Sequence, residues 1–170
     1  YTMPIWNSIL AADLIVFAMP VYVLRAPGQV KSLLDHFGCH WMVHRPDKSM
    51  FKKRAVILTN SIGAPNGSTQ KDVKTSLTWL GVSDIKALGI GLMEGVIWDE
   101  LSEKRREKIK LKILKLAEKY KKEKRIRKSI KVRLLFAMCK SMHKAVLKSE
   151  EAPSADNQHW IDNGWIKYDT

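Results

Sequence analysis

Two segments of the sequence carry residue types that suit the binding of a flat ligand. The first, AMPVYVLRAPGQVKSLLDHF (18–37), places an aromatic and several apolar side chains on the connection that follows the apolar run 14–17. The second, NSIGAPNGST (60–69), contains small residues with Gly63 and Gly67. Glycine lets a backbone approach a ligand closely, so consecutive amides can donate hydrogen bonds to its rim. Together the segments could hold a planar heteroaromatic ring, although each alone is also compatible with a simple turn.

The segment CHWMVHRP (39–46) offers possible metal ligands. It carries Cys39, and it places His40 and His44 four residues apart, a spacing that shares one face of a helix. No carboxylate accompanies these residues at a matching spacing. A structural role is therefore favoured over zinc binding, and we expect no metal site.

The hydrophobic pattern predicts three strands that alternate with helices. The strands are expected at 14–18, 54–60 and 85–90, and the first is apolar throughout, as in a parallel strand covered on both faces. Helices are expected to begin near Ala26, Thr69 and Asp99, which suits an N-cap, and Gly81 is placed to end the second. The predicted buried residues are Val30, Leu33, Leu34 and Phe37 in the first helix, Val73, Ser76, Leu77 and Leu80 in the second, and Ile109, Ile113, Leu116, Ala117 and Tyr120 in the third.

The alternation of strand and helix indicates an α/β fold with a parallel sheet. In such sheets ligands bind at the carboxyl ends of the strands, in the loops that lead to helices. The segments 19–25 and 60–69 are two of those loops. We therefore expect them at the same edge of the sheet.

Composition and charge limit the classes of protein that the chain can belong to. Its 170 residues are 45% hydrophobic and 28% charged, as in a soluble globular domain. No apolar run approaches the ~20 residues that span a bilayer, no secretory signal is visible, and two cysteines make no disulfide framework, so a cytoplasmic protein is expected. Residues 103–149 hold 19 Lys or Arg against four Glu, within a net charge of +13. This segment is interpreted as solvated helix surface; the alternative is a non-enzymatic protein that binds nucleic acid or anionic membrane through 103–149.

The segment AADLIVFAMPVYVLRAPGQVKSLLDHF (11–37) resembles the flavodoxin-like NAD(P)H-dependent FMN reductases, in which Ala-Asp and an apolar strand precede Pro-Val-Tyr, Gly, Lys and Leu-Leu-Asp. Four further segments are similar to one branch of that family: WMVHRP (41–46), KKRAVILTNSIGAPNGST (52–69), WLGV (79–82) and HWIDNGWIKYD (159–169). The resemblance implies a flavodoxin-like three-layer sandwich, FMN as cofactor, NAD(P)H as co-substrate and a small-molecule electron acceptor. It also implies a homodimer or tetramer, with neither a nucleic-acid partner nor stable membrane insertion.

The resemblance places nine residues beside the flavin ring, with the apolar loop on one side and the glycine-bearing loop on the other. It implies a ping-pong reaction, in which a hydride passes from NAD(P)H to FMN and a second acceptor is then reduced at the same open face. The cofactor supplies this chemistry, so no catalytic residue is predicted. The nine residues are Pro20, Val21, Tyr22, Val23, Asn60, Ser61, Ile62, Gly63 and Ala64.

The N-terminal region departs from the family pattern. Nothing in residues 1–12 can form the Gly/Ser/Thr-rich loop that wraps the FMN phosphate in a flavodoxin-like domain. IWNSILAAD (5–13) is similar to the end of the family's second helix, so two strand–helix units are absent, roughly 60 residues at ~30 per unit. We expect the chain to be part of a longer polypeptide or of a reading frame with a misplaced start. We also expect it to expose a hydrophobic edge at its first strand and to bind FMN poorly by itself.

The C-terminal region is predicted to be a helical extension at 128–170, following a partial flavodoxin-like domain at 1–127. IKVRLLFAMCKSMHKAVL (130–147) places an apolar stripe on a basic helix. It is interpreted as a helix that packs on its own domain or across a dimer, and the alternative is a helix that binds a membrane surface or a partner. Residues 149–157 are expected to form a loop before a final docked turn at 160–165. Arg45 is expected in an ion pair that fixes its loop, and the alternative is contact with a phosphate of the nicotinamide cofactor. Trp79 and Trp98 are expected to be packing residues.

Overall fold

The computed structural model describes residues 2–93, 97–121 and 126–168. Within these ranges three parallel strands form one open sheet in the order β1 (Leu14–Pro20), β2 (Arg54–Ser61) and β3 (Asp84–Gly91). The register pairs Ile15 with Ala55 and Ala55 with Ile85. The three predicted strands are confirmed, and each is one or two residues longer than the pattern indicated.

Helices alternate with these strands and continue beyond them. α1 (Met3–Ala11) precedes β1, α2 (Gly28–His36) joins β1 to β2, and α3 (Gly67–Trp79) joins β2 to β3. α4 (Glu103–Glu118), α5 (Ile130–Leu147) and α6 (Ala155–Asp162) follow β3. Short 3₁₀ turns lie at Phe37–His40, Lys48–Lys52 and Trp98–Glu100. Parallel strands joined by helical crossovers confirm the predicted α/β class.

One face of the sheet is covered by α1, α2 and α3. Side chains on a strand alternate between its two faces, so Ile15 and Met19 of β1 share a face with Ala55 and Ile57 of β2. These residues belong to a buried cluster with side chains from the three helices, at Trp6, Leu34, Val73 and Leu77. His40 also lies against this cluster, because its ring stacks on Trp6 with centroids 4.0 Å apart.

The opposite face of the sheet is reached by α4 and the two residues that follow it. The Arg54 guanidinium lies 4.1 Å from the centre of the Tyr120 ring and donates a hydrogen bond to the carbonyl of Lys119 over 2.7 Å. The Tyr120 hydroxyl donates to the Ala55 carbonyl over 3.2 Å. Burial raises the pKa of Tyr120, the charge of Asp84 adds to this effect, and Arg54 opposes it. Helices therefore lie on both sides of the sheet, giving three layers.

The third predicted helix differs from the observed one. Asp99 lies in a 3₁₀ turn, and α4 begins four residues later with Ser102 as its N-cap residue. Its predicted buried stripe is wrong at Ile113 and Ala117, which are exposed, whereas Ile109 is buried. α4 contacts the rest of the protein near Ile109 and again just after its C-terminal end, at Tyr120, so Ile113 and Ala117 between these points are exposed. Trp98 is 42% exposed, so its predicted packing role is also wrong.

A second buried cluster joins the C-terminal helices to the region between α2 and β2. It contains Met42 and Phe51 together with five residues from α5, α6 and the segment after them: Val132, Cys139, Leu147, Trp160 and Ile166. Gly81 is required beside this cluster, because its φ is +103° and a Cβ there would lie 2.7 Å from the Phe51 ring. The glycine also follows α3, as the sequence predicted for the end of that helix.

Specific polar contacts hold α6 against residues 44–46. The Trp160 indole nitrogen donates to the carbonyl of His44 over 2.7 Å. Asp156 accepts from the side chains of His44 at 2.7 Å and Arg45 at 3.1 Å, which confirms the ion pair predicted for Arg45. α6 begins at Ala155, so the loop expected at 149–157 ends earlier than predicted.

The two histidines considered as metal ligands have separate partners, since His40 stacks on Trp6 and His44 bonds Asp156. Over the described part of the chain no group of three or more His, Cys, Asp or Glu side chains could hold a metal ion. Over the same residues, no helix combines the length and the apolar character that crossing a membrane requires.

Candidate functional site

Three loops meet at the edge where the parallel strands end. We name them loop 1 (21–27), loop 2 (62–66) and loop 3 (92–93, its described part). Pro20 at the end of β1 is paired in register with Asn60 of β2, and the Val21 amide donates to the Asn60 carbonyl over 2.8 Å. The structure therefore places the first residues of the two predicted ligand-binding segments side by side. Tyr22 and Gly63 follow adjacent strands at the same edge, as the sequence predicted.

Loop 1 is a tight turn with apolar side chains at its tip. Tyr22 and Arg25 form a two-way backbone bridge, with N–H···O distances of 3.0 and 2.8 Å. The two residues between them, Val23 and Leu24, have φ angles of +47° and +62°. Positive φ is unfavourable for a β-branched residue such as valine. The side chain of Val23 is nevertheless 96% exposed, so burial does not offset the strain, and backbone strain of this kind is concentrated at ligand-binding sites.

Asp72 on α3 holds the end of loop 1, and sequence reasoning missed it. Its carboxylate accepts from the Arg25 guanidinium at 2.9 Å and from the Ala26 amide at 3.4 Å. The Asp72 side chain is largely shielded, whereas that of Arg25 is mostly in solvent. The available signal for Asp72 was a carboxylate about one turn inside the helix that follows loop 2. Its partner, Arg25, lies 47 residues away in sequence, so the sequence did not indicate the contact.

Loop 2 is folded on itself and leaves backbone donors unused. The Ser61 hydroxyl donates to the Ala64 carbonyl over 2.6 Å and accepts from the Asn66 amide group over 3.2 Å. The backbone amides of Ile62, Gly63 and Ala64 donate to no other described residue. A ligand edge at loop 2 could therefore accept up to three hydrogen bonds from consecutive amides.

Close packing beneath loop 2 depends on Gly89 of β3. A Cβ at Gly89 would lie 2.6 Å from the Asn66 side chain and 2.9 Å from that of Gln70. Gln70 in turn donates to the Thr59 hydroxyl over 2.9 Å. Loop 2 and the first turn of α3 can therefore pack closely against the sheet only because position 89 has no side chain.

Loop 3 also lies at this edge, and it was not among the predicted ligand-binding segments. The Leu92 amide donates to the Ser61 carbonyl over 2.7 Å, and the Met93 amide donates to the Ile62 carbonyl over 3.1 Å. Arg105 of α4 donates to the carbonyl of Gly91, the last residue of β3. A strand end next to β2 was the signal that could have identified loop 3.

The three loops together present apolar side chains to solvent. Five large hydrophobic residues at this edge are exposed: Tyr22, Val23, Leu24, Ile62 and Met93. Contiguous exposed apolar surface on a soluble domain indicates a binding site. The nine predicted site residues include no carboxylate, histidine, lysine or cysteine. The apolar side chains and the backbone donors of these residues would suit a flat apolar ligand with polar rim atoms.

An open parallel sheet that binds ligands in the loops at its carboxyl edge defines the doubly wound α/β class. Comparison with known families gives the particular one. The model of the NADPH-dependent FMN reductase family matches residues 3–92, and the chain belongs to this family. The match covers all three loops up to Leu92, and it confirms the resemblance found in the sequence.

Curated relatives and solved structures agree with this assignment. The chain is 31% identical over 101 residues to an FMN-dependent NADH:quinone oxidoreductase of Bordetella bronchiseptica, with 54% of this chain and 47% of the relative covered. An FMN-dependent NADH:quinone oxidoreductase of Bordetella parapertussis matches with the same identity and coverage. The chain thus spans about half the length of these curated relatives.

Among solved structures, general stress protein 14 of Treponema denticola in complex with FMN is similar with a TM-score of 0.52 and 14% identity, covering 69% of this chain and 72% of that one. An FMN-dependent NADH-azoreductase of Bacillus anthracis in complex with FMN has a TM-score of 0.51 and 15% identity, covering 68% and 61%. At these identities the likeness shows the fold, which is the flavodoxin-like fold expected from the sequence.

Proposed function

We propose that this chain carries the flavin-ring site of an FMN-dependent NAD(P)H oxidoreductase at the edge formed by loops 1, 2 and 3. The observation that supports this most directly is the backbone bond from Val21 to Asn60, which brings an apolar loop and a donor-rich loop together. The proposed ring-binding residues are Pro20, Val21, Tyr22, Val23, Asn60, Ser61, Ile62, Gly63 and Ala64.

The residues present fit the ring of FMN. An isoalloxazine ring has apolar faces and a rim of carbonyl oxygens and nitrogens, so it needs apolar cover together with hydrogen-bond donors. Tyr22 and Val23 are exposed at the tip of loop 1 and can provide the cover. The unused amides of Ile62, Gly63 and Ala64 can provide the donors. Gly63 also leaves space, since among the described residues a Cβ there would meet only the Met93 sulfur, at 3.9 Å.

Bound FMN would supply the redox chemistry, accepting a hydride from NAD(P)H and passing electrons to a second acceptor in a ping-pong sequence. The chain's own residues bind and orient the ring and leave one side of it accessible. The names of the relatives, a quinone oxidoreductase and an azoreductase, support a small-molecule acceptor. We also propose that the protein forms a homodimer or tetramer and is located in the cytoplasm. The chain is further proposed to divide into a partial flavodoxin-like domain (1–127) and a helical extension (128–170).

The rival hypothesis, a non-enzymatic basic protein that acts through residues 103–149, is not favoured. The family match lies at 3–92, outside the basic segment, and it concerns a reductase. The exposed apolar edge at loops 1 to 3 would also have no purpose in a protein that binds only through α4 and α5.

Flavin titration of the purified chain tests the proposal. Quenching of flavin fluorescence is followed with FMN and, in parallel, with riboflavin, which shares the ring and lacks the phosphate. We expect saturable quenching by the chain with both, and its loss on Tyr22→Ser with Ile62→Ser. Absence of quenching at any accessible concentration, or quenching that the loop variants leave unchanged, would refute the site. Parallel double-reciprocal plots with NAD(P)H and a quinone test the ping-pong order, and intersecting plots would reject it.

A further inference from the structure

The exposed side of α5 carries a row of apolar side chains that winds around the helix by about 40° at each step. Every fourth residue along the helix is a large hydrophobic residue whose exposed fraction is between 39% and 76%. We call these residues the α5 strip: Ile130, Leu134, Met138, Met142 and Val146. Exposed small residues at Ala137, Ser141 and Ala145 lie on the same outer face. An 18-residue helix is about 27 Å long, so the strip is far larger than a singly exposed side chain.

The strip is not needed to attach α5 to the protein. The helix already buries an opposite face, at Val132, Cys139, His143 and Leu147. His143 is held there by the Asn157 side chain at 2.6 Å and by stacking on Trp160 with centroids 4.5 Å apart. α5 therefore has two apolar faces, and within the described residues only one of them is covered.

Positive charge lies along one side of the strip. α5 contains Lys131, Arg133, Lys140 and Lys144 and no Asp or Glu. A groove of about 950 Å³ lies next to the helix and is lined by basic and aromatic residues with one carboxylate. The groove residues used here are Lys140, Lys144, Lys148, Lys167, Trp165, Tyr168 and Glu150.

The lysines of the groove are available to an external anion. None of the four forms an ion pair with a residue that the structure describes. The single carboxylate, Glu150, is engaged locally, since it accepts from the Asn157 side chain at 2.7 Å and from the Ser154 amide at 3.1 Å. Both bonds lower the pKa of Glu150, and the bond from Asn157 has the larger effect. The groove therefore carries four lysines against one ionised carboxylate, and none of the four is ion-paired with a described residue.

Charge distinguishes between the possible occupants of the strip. A second copy that paired its α5 with this one would bring together two helices whose charged residues are all basic, which is unfavourable. A nucleic acid would use the lysines but would leave the apolar strip in water. A bilayer surface with anionic phospholipid satisfies both, because apolar side chains enter the headgroup boundary while lysines meet phosphates. Trp165 and Tyr168, at the groove, are the residue types enriched at that boundary.

We propose that the α5 strip and the adjacent lysine groove dock this protein on the surface of a bilayer that contains anionic phospholipid. The docking is peripheral, with α5 lying along the membrane plane. It adds a location to the proposed reductase and does not depend on flavin binding. Its failure and the failure of the flavin site can thus be observed separately.

Vesicle co-sedimentation of the full chain tests the docking. The probe is a phosphatidylcholine vesicle with 30% phosphatidylglycerol, compared with pure phosphatidylcholine, each at low and at high salt. A strip variant (Leu134→Gln, Met138→Gln, Met142→Gln) keeps every charge. A groove variant (Lys140→Gln, Lys144→Gln, Lys148→Gln) keeps the strip. A control (Lys104→Gln, Lys108→Gln, Lys112→Gln) removes the same charge from α4.

The expected result is partitioning at least about tenfold stronger to the anionic vesicles, weakened by salt. The strip and groove variants should each lose about tenfold, and the α4 control should lose clearly less. Far-ultraviolet circular dichroism verifies that each variant is folded.

Four outcomes would overturn the proposal. The first is no binding of the wild-type chain to either vesicle. The second is an equal loss in the α4 control, which would show charge alone at work. The third is a wild-type chain that does not bind vesicles and is oligomeric in light scattering, while the strip variant is monomeric. The strip would then be a subunit interface. The fourth is a wild-type chain that binds duplex DNA and no vesicle, with DNA binding lost only in the groove variant.

Discussion

The amide of Val21 donates a hydrogen bond to the carbonyl of Asn60 over 2.8 Å, so the first residue after β1 is attached to the penultimate residue of β2. This bond continues the pairing of the two strands into the loops. The two predicted ligand-binding segments are consequently parts of one structure, and a change in loop 1 can be transmitted to loop 2 through the backbone. The predictions below concern the residues around this junction and the packing that supports it.

Removing the charge of Asp72 should loosen loop 1 without unfolding the protein. Asp72→Asn loses the ion pair with Arg25, whose side chain is 64% exposed, so the free energy of unfolding should fall by no more than about 1 kcal/mol. Flavin binding should weaken about threefold to tenfold, because loop 1 is no longer held in its bound shape. Fluorescence quenching and urea unfolding provide the two measurements.

A matched control for Asp72 is available on α2. Asp35→Asn breaks the exposed pair with Lys31, which has a similar length of 3.1 Å but lies outside the three loops. Flavin affinity should be unchanged in this control. If both variants weaken flavin equally, loop 1 is not positioned by Asp72.

Filling the space at Gly63 should block the ring and spare the fold. A Cβ there meets nothing closer than 3.9 Å, so Gly63→Leu should change the melting temperature little. The added side chain would lie where the ring is proposed to bind and should weaken flavin binding by at least about tenfold. Gly38→Leu is the comparison, since a Cβ at Gly38 also has nothing within 4 Å and the residue is distant in sequence from all three loops. Retention of wild-type affinity in Gly63→Leu would place the ring elsewhere.

Relieving the strain in loop 1 should stabilise the protein at the expense of its function. Val23 and Leu24 both have positive φ, which Asn and Gly adopt readily in two-residue turns. Val23→Asn with Leu24→Gly should raise the free energy of unfolding by about 1–2 kcal/mol. Flavin binding should weaken, because the exposed apolar tip is lost. A double variant that is neither more stable nor weaker in binding would show that the turn is unstrained and outside the site.

A methyl group at Gly81 should be poorly tolerated. The φ of +103° is strained for alanine, and its Cβ would lie 2.7 Å from the Phe51 ring. Gly81→Ala should reduce the free energy of unfolding by about 2–4 kcal/mol. Denaturant titration measures the loss, and Phe51→Leu in the same background should recover part of it by making room. No recovery would assign the cost to the backbone alone.

Protonation of His40 should contribute to acid sensitivity. Burial lowers the pKa of His40 below 6.5, and the charges of Arg45 and His159 lower it further. A hydrogen bond with the Arg45 backbone and the charge of Asp47 oppose this shift. Between the pKa of the folded state and the unfolded value of 6.5, the unfolded state binds more protons than the folded state. The contribution of His40 to the free energy of unfolding is therefore complete above pH 6.5 and is lost as the pH falls towards the folded pKa.

The comparison that isolates His40 is with His40→Phe, which keeps a ring against Trp6. The difference in unfolding free energy between the variant and the wild type should change in favour of the variant between pH 7 and pH 5. A difference that is constant with pH would mean that His40 does not titrate in this range.

Local pattern was sufficient for the sheet and for the position of the two main loops. β1 and β2 are short, apolar and bounded by turn residues, and their parallel order follows from the intervening α2. The helix α4 was misplaced because Asp99 is a good N-cap residue by type, whereas Ser102 provides the start in the structure. Propensity ranks both residues as caps and does not choose between them.

The parts of the site that escaped prediction depend on contacts distant in sequence. Asp72 acts on Arg25 across 47 positions, and Met93 is fixed by the carbonyl of Ile62. The exposure of Ile113 likewise depends on which surface α4 meets, and not on its own periodicity. Family resemblance supplied the ring-binding residues as an expectation, because spacing alone cannot distinguish a ligand loop from a turn.

The indole of Trp160 bonds the carbonyl of His44, and a carbonyl is the same in every amino acid. This bond therefore forms whichever side chain occupies position 44, whereas the contact with Asp156 requires a donor there. A homologous chain that exchanged His44 would lose one of these two attachments of α6 while the tryptophan stays anchored.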